Sequence, residues 1–360
     1  MIAATFDPDQ LNSQFPGQPA NPAPQGLPDL VPRARWQQVL ADAVTSPAEL
    51  CGILGLDPGL IEAARDPGKE FTLRVPRGFI ARMRHGDPKD PLLLQVLPAA
   101  AELIPAEGFS IDPVGDLPSR AATGLLHKYE GRALLIATGA CAVHCRYCFR
   151  RHFPYSEQSA LAGGWGEAID HLRADPSITE VLLSGGDPLN LSDRRLTQLT
   201  DALQSVPHVR RLRIHTRNPV VLPERVDEGL IRWLSGLELQ KVVVIHANHA
   251  QELDANVERA CHDLAVAGAT VLNQSVLLAG VNDSVTALAA LSERLFAMKV
   301  LPYYLHLLDR VQGAAHFEVD TETALRLHAG LAEVLPGYLV PRLVREIPGA
   351  ASKTPVTSRA

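Results

Sequence analysis

Cys141-Ala142-Val143-His144-Cys145-Arg146-Tyr147-Cys148 places three cysteines within eight residues, spaced Cys-x3-Cys-x2-Cys, with no fourth cysteine nearby. Thiolates hold iron in iron–sulfur clusters, and a four-iron cluster takes four ligands of this kind. Three protein ligands leave one iron open. An open metal position is where a substrate or cosubstrate binds, as it does at catalytic zinc. The same triplet can be read as a zinc site completed by His144 or His152. Triplet zinc sites are usually completed by a second knuckle, and none is visible in the chain. The spacing favours a [4Fe–4S] cluster on Cys141, Cys145 and Cys148.

The triplet follows an apolar run at 133–138, the first of six that read as buried strands; the others are 178–184, 211–216, 241–246, 270–277 and 302–308. Amphipathic stretches of helical length follow them, near 166–174, 193–205, 224–235, 252–267, 284–298 and 320–335. Six β-then-α units predict parallel strands joined by right-handed crossovers. That is too few for a closed eight-stranded barrel, and leaves a partial open (β/α)6 barrel or a doubly wound sheet. Polar residues at the strand ends favour the barrel: Gly185-Gly186-Asp187, His215 and Arg217, His246 and Asn248, Gln274 and Ser275, and Asp309. Such groups converge on one mouth in a barrel, whereas a doubly wound sheet needs them only at its switch point.

Two further segments carry chemistry. Ser184-Gly185-Gly186-Asp187 closes the second predicted strand. Paired glycines let backbone approach a ligand closely, and the carboxylate can accept from an amine. Near the other end, Lys353 sits in the small-residue loop Pro348-Gly349-Ala350-Ala351-Ser352-Lys353-Thr354-Pro355. A lysine amine can form a Schiff base with pyridoxal phosphate (PLP), and small flanking residues would admit the ring.

The remainder bounds the class. Residues 1–32 hold seven prolines, and no basic residue precedes Arg33. A disordered tail over 1–33 without a signal peptide is expected. Region 34–130 reads as mainly helical, 131–335 as the barrel, and 336–360 as a C-terminal segment carrying Lys353. No run of 18 apolar residues predicts a membrane span. The net charge of −6 argues against general nucleic-acid binding. Five cysteines, with Cys51 and Cys261 isolated, are no disulfide framework and suit the cytoplasm, where thiols stay reduced.

The cysteine spacing after a strand, followed by the Gly-Gly loop, resembles the radical S-adenosylmethionine (SAM) superfamily. Within it the chain resembles the lysine 2,3-aminomutases, which also use PLP. The likeness rests on Asp-Pro-Lys-Asp-Pro (87–91), His-Lys-Tyr-Glu-Gly-Arg (127–132), the cysteine run through Arg151, Leu183–Asp187, Asn-Gln-Ser-Val-Leu-Leu (273–278), Pro-Tyr-Tyr-Leu (302–305) and the Lys353 loop. Segments 308–317 and 345–347 look most like the branch that modifies elongation factor P. The resemblance implies a radical SAM barrel that turns (S)-α-lysine into (R)-β-lysine for a separate ligase. It implies an isomerase with an electron donor as partner and possible self-association.

The resemblance also implies roles. Cys141, Cys145 and Cys148 would hold the cluster, and Lys353 would hold PLP, with Tyr129 and Arg132 as further contacts. Ser184, Gly185, Gly186, Asp187, His246 and Gln274 fall where SAM contacts would be. Arg150 would pair with the substrate carboxylate, where a guanidinium fork suits the anion. The family grips the distal ammonium with two aspartates. Asp309 matches the first, and Glu346 stands in place of the second. A glutamate aminomutase would need a cation there instead. An RNA-modifying radical SAM enzyme would need a basic domain or further cluster cysteines, and an iron–sulfur sensor would not need the Lys353 loop. A bland reading pairs Asp309 and Glu346 with Arg310 and Arg345, their neighbours in sequence.

Overall fold

The computed structural model describes residues 36–155 and 165–357, the side chains of 65–70 excepted. The tail expected over 1–33 lies outside them. Ten strands form one sheet in sequential order: β1 (Arg120–Ala122), β2 (Leu125–Tyr129), β3 (Arg132–Thr138), β4 (Glu180–Gly185), β5 (Arg211–Thr216), β6 (Gln240–Ile245), β7 (Thr270–Val276), β8 (Leu301–His306), β9 (Arg342–Arg345) and β10 (Thr354–Pro355). Every neighbour pair from β3 to β9 is parallel. A doubly wound sheet reverses its strand order at a switch point, and this one does not.

Six β/α units follow, because each of β3 to β8 leads to a helix: Gly166–Ala174, Asp193–Gln204, Glu228–Ser235, Ala255–Val266, Val285–Ala297 and Thr321–Val334. Five of these helices start where the sequence supplies a side chain for the free N–H groups of the first turn. Ser192, Asp227, Asp254, Ser284 and Asp320 each accept from one or two of them.

Period-two alternation gives the sheet two faces. Leu135, Val181, Leu183, Leu212, Ile214, Val243, Ile245 and Val271 point outward into the core shared with the helices. The opposite face holds Ser184, His215, Gln274 and His306, with His246 one residue beyond β6. The curl of the sheet shows in one contact: the Tyr129 hydroxyl on β2 donates to Glu346, just past β9. Strands at nearly opposite margins of the sheet therefore meet at one end. The molecule is an α/β partial open (β/α)6 barrel.

The N-terminal region is helical through Trp36–Ala41, Pro47–Leu54 and Pro58–Glu70. Its Leu50, Leu54, Phe79, Leu92 and Leu93 share the barrel's core. Its last part departs from the expected helix. β1 and β2 run as strands, β1 antiparallel to β2 and β2 antiparallel to β3. The sequence reading also lacked β9 and β10, which are four and two residues long, too short for periodicity to register.

Candidate active site

The cysteine loop is fastened from behind by arginines within it. Arg146, fully buried between Cys145 and Tyr147, donates Nε to Glu102 Oε1 at 2.8 Å and Nη1 to the Phe71 carbonyl at 2.6 Å. Arg151 Nη2 reaches Glu102 Oε2 at 2.8 Å. A guanidinium presents a planar fork that one buried carboxylate can engage twice. From the front, Arg217 donates Nη1 to Cys145 Sγ at 2.6 Å and Nη2 to Glu252 Oε2 at 3.0 Å.

The three thiols are spread rather than closed. Among the described residues, only His127, His171 and Asp175 bring three ligand atoms within 4.8 Å of one another. Zinc–sulfur bonds of about 2.3 Å would need the sulfurs closer than that, so the wider triplet suits a cuboidal cluster. His144 instead donates Nδ1 to the Thr72 carbonyl at 2.8 Å, and His152 is exposed and donates to the Gln312 carbonyl. Burial first, and then the neighbouring thiols, push the Cys141 thiol well up and that of Cys148 to about 11. Bound iron would reverse this by stabilising the thiolates.

The Gly-Gly loop packs on the segment that leads into the cysteines. A Cβ on Gly185 would lie 2.5 Å from the Thr138 carbonyl oxygen, and one on Gly186 the same distance from that of Ala140. These glycines let the β4 loop lie directly on the cysteine loop. Gly186→Ala should therefore lower iron content several-fold relative to wild type prepared alongside; unchanged iron would show that the loop can yield. Asp187 is also committed within the protein. It accepts from Thr216 Oγ1 and from the backbone N–H groups of Leu189, Arg217 and Asn218, at 2.7 to 3.1 Å. Its carboxylate is thus spent on the turn after β5.

The barrel interior contrasts with this. His215 Nε2, His246 Nε2, Gln274 Oε1 and His306 Nε2 are buried and have no hydrogen-bond partner in the protein. Native proteins rarely leave such groups unpaired, and four on one face mark where a polar ligand would find partners. Burial, then nearby cations, keeps these imidazoles neutral: His215 and His306 fall well below the usual range, and His246 to about 3.

The C-terminal hairpin closes the mouth. Antiparallel pairing of Thr354 with Arg345 sets Lys353 opposite Glu346. Lys353 Nζ donates to Glu346 Oε2 at 2.8 Å, and the other Glu346 oxygen accepts from Tyr129. Arg132 lies over the Tyr129 ring, 4.5 Å from its centroid. Burial raises the Glu346 carboxyl, but Lys353 and Tyr129 outweigh it and hold it below its usual range. Asp309, just past β8, goes the other way: burial, with Glu346 adding to it and Lys353 opposing, pushes it up to about 7. The neighbouring arginines are not their partners, since Arg310 pairs with Glu318 and Arg345 donates to Thr321.

Arg150 is buried on the same side. It donates Nε to Asp116 Oδ2 at 2.7 Å and Nη1 to Ser184 Oγ at 2.9 Å. Asp116 also meets Lys128 Nζ at 2.7 Å. These two cations offset the burial of Asp116 and hold its carboxyl low. The Asp116–Lys128 pair, Arg217 with Glu252, and the unpartnered His215 and His306 are the features that sequence reasoning did not assign. His215 and Arg217 at least stood at a strand end. Asp116 lies in an ordinary turn and gives no local signal.

The Cys141–Cys148 loop, the unpartnered interior and the Lys353 hairpin fit the three cofactors. No family model matches the chain. Individual relatives do. It is 49% identical to L-lysine 2,3-aminomutase of Escherichia coli over 90% of this chain and 95% of that one. The corresponding figures for Haemophilus influenzae are 46%, 89% and 94%, and for Clostridium subterminale 35%, 89% and 77%. A radical SAM methyltransferase from Sphaerobacter thermophilus overlaps loosely, with a TM-score of 0.43 and 18% identity over 61% of this chain and 68% of that one. With such identity sustained along nine-tenths of its length, this chain belongs to the L-lysine 2,3-aminomutase family.

Proposed function

We propose that this chain converts (S)-α-lysine to (R)-β-lysine for the modification of elongation factor P. It is a radical SAM isomerase with a [4Fe–4S] cluster, SAM and PLP as cofactors. The observation that carries the lysine reading is the charge at the mouth: Glu346 is ion-paired with Lys353, whereas Asp309, within electrostatic reach of both, has no ion-pair partner of its own among the described residues. A buried carboxylate in that position favours a cation beside it. The elongation factor role rests on the likeness of 308–317 and 345–347 to that branch. A lysyl ligase and an electron donor are the partners this reading requires, and the cytoplasm is its compartment. Among the described residues no helix is long and apolar enough to cross a membrane.

Bound together, the cofactors supply the radical that removes a hydrogen and the ring that carries the migrating nitrogen. The protein supplies position and protons. Glu346 Oε2 accepts from Lys353 Nζ and holds that side chain at the mouth, where its amine would be placed to bond to PLP. Tyr129 donates to the other oxygen and orients the carboxylate. Asp309 has no such partner and is the group open to the substrate's distal ammonium. Arg150 is held by Asp116 and Ser184, which aims its fork toward the interior for the substrate carboxylate. The neutral histidines would offer their free ring nitrogens to a bound ligand without adding charge there.

Anaerobic incubation with SAM, PLP, reductant and α-lysine tests the reading, with β-lysine as the expected product. Preference for glutamate would sink it and leave the family assignment intact. Asp309→Ala should cost about 30- to 5000-fold with lysine, the range for truncating one member of a buried charge pair (about 2–5 kcal/mol). Cluster and PLP content should not change. The wild-type KM should fall as pH rises through about 7, where Asp309 ionises and gains the ammonium. Asp309→Asn should flatten that limb, and normal lysine kinetics in Asp309→Ala would remove the residue from the site.

A further inference from the structure

We propose that His127, His171 and Asp175 form a binding site for one divalent transition ion of the zinc class, apart from the active site. A ring nitrogen of each histidine and a carboxylate oxygen of Asp175 lie within 4.8 Å of one another. His127 comes from β2, whereas His171 and Asp175 come from the last turn and C-cap of the helix Gly166–Ala174. A spacing of four residues stacks those two on one helix face. Two neutral imidazoles and one carboxylate are a donor set that zinc accepts, with the fourth position left to water.

The protein's own interactions do not satisfy these groups. His127 Nδ1 stands 3.9 Å from Asp175 Oδ2, too far for a hydrogen bond. His171 Nε2 is buried and has no partner. The two rings meet edge-on with centroids 5.9 Å apart, a contact that brings the two imidazoles together. Leaving a buried ring nitrogen unpaired costs stability, and an ion would remove that cost. Asp175 is already oriented for the task. Its Oδ1 accepts from the Ser177 backbone N–H at 3.0 Å and hydroxyl at 2.6 Å, so Oδ2 is the oxygen left to bind. A backing hydrogen bond of this kind fixes a metal-ligating carboxylate.

Zinc bonds of about 2.0–2.2 Å to nitrogen and oxygen place tetrahedral ligands roughly 3.3 Å apart. The His127–Asp175 gap closes to that with a small side-chain adjustment. The ion would tie β2 to the helix after the cysteine loop. The next two residues of β2 are Lys128 and Tyr129, which meet Asp116 and Glu346 in the active site. The site is therefore a brace for the strand that supplies those contacts.

The test uses the anaerobically prepared protein with its cluster. It is equilibrated in micromolar free zinc and desalted, and both metals are counted. The expected result is about one zinc per chain in addition to the cluster iron. His127→Ala and His171→Ala should each lose that zinc at least tenfold and keep wild-type iron, which reports that they fold. Zinc at 100 times its Kd should shift the wild-type folding equilibrium about 100-fold, and leave the variants unmoved. Three outcomes overturn the proposal: no retained zinc in the wild type, equal zinc in the variants, or zinc gained only as iron is lost, which would place it on the cysteines.

Discussion

Lys353→Ala removes lysine isomerisation by several orders of magnitude while iron content stays at the wild-type level. On the proposed reading the amine is the group that would bond to the PLP aldehyde, and Lys353 is the lysine that the hairpin register sets opposite Glu346. Borohydride treatment of the PLP-loaded wild type should therefore fix the cofactor on the peptide containing Lys353. The cysteine loop is held by Glu102 and Arg217 rather than by the hairpin, so the cluster should survive. The substitution also strands Glu346. Without Lys353 the carboxyl loses the cation that keeps it low, and burial then pushes it up. Lys353→Arg separates the two effects. It restores a cation beside Glu346 yet cannot form the Schiff base, and should be as inactive as alanine. A reduced adduct on another lysine, with Lys353→Ala active, would show that the hairpin does something else.

The parallel core was legible because each of its strands is an apolar run and each crossover helix is amphipathic, five of the six with a polar cap. The observed β3 to β8 differ from the expected bounds by at most two residues at either end. The margins were not legible. β2 carries Leu-Leu-His-Lys-Tyr, with no clean alternation, since a register shift lies between Leu126 and Tyr129. β9 and β10 are strands only because they pair with β8 and with each other. Tertiary pairing decided them, and no local pattern could.

The same division runs through the site. Candidate chemistry carried by contiguous residues stood out in the sequence: the cysteine spacing, and the lysine among small residues. Chemistry carried by long-range pairing did not. Asp187 reads as a ligand carboxylate, yet it caps a turn 30 residues on. Arg150 reads as a free fork, yet it is oriented by Asp116, 34 residues away. Glu346 reads as a second grip on the substrate, and the structure pairs it with Lys353 and Tyr129 first. An exchange of Lys353 for the substrate ammonium at Glu346 would reconcile both roles. Asp309 makes no such pairing, which makes its substitution the cleaner probe of substrate charge.

Serine at Cys141, Cys145 or Cys148 should abolish SAM cleavage, whereas serine at Cys51 or Cys261 should leave it intact per folded molecule. A hydroxyl does not replace a thiolate as an iron ligand at neutral pH, and with three protein ligands there is no spare. Wild-type protein prepared without oxygen should carry about four irons per chain, and each triplet variant far fewer. Cys51 and Cys261 are free and buried among the core residues. Serine there buries a hydroxyl and lowers stability by about 1–3 kcal/mol, so the comparison must be made on soluble, folded protein. Cys145 carries an extra interaction, since Arg217 donates to its sulfur. Hydrogen bonds to cluster sulfurs raise the reduction potential. Arg217→Met should thus make the cluster that remains harder to reduce, and lower iron content as well, because Arg217 also helps to hold the loop. Stoichiometric zinc on the triplet with no iron after anaerobic preparation would overturn the cluster reading, and with it every step that needs a radical.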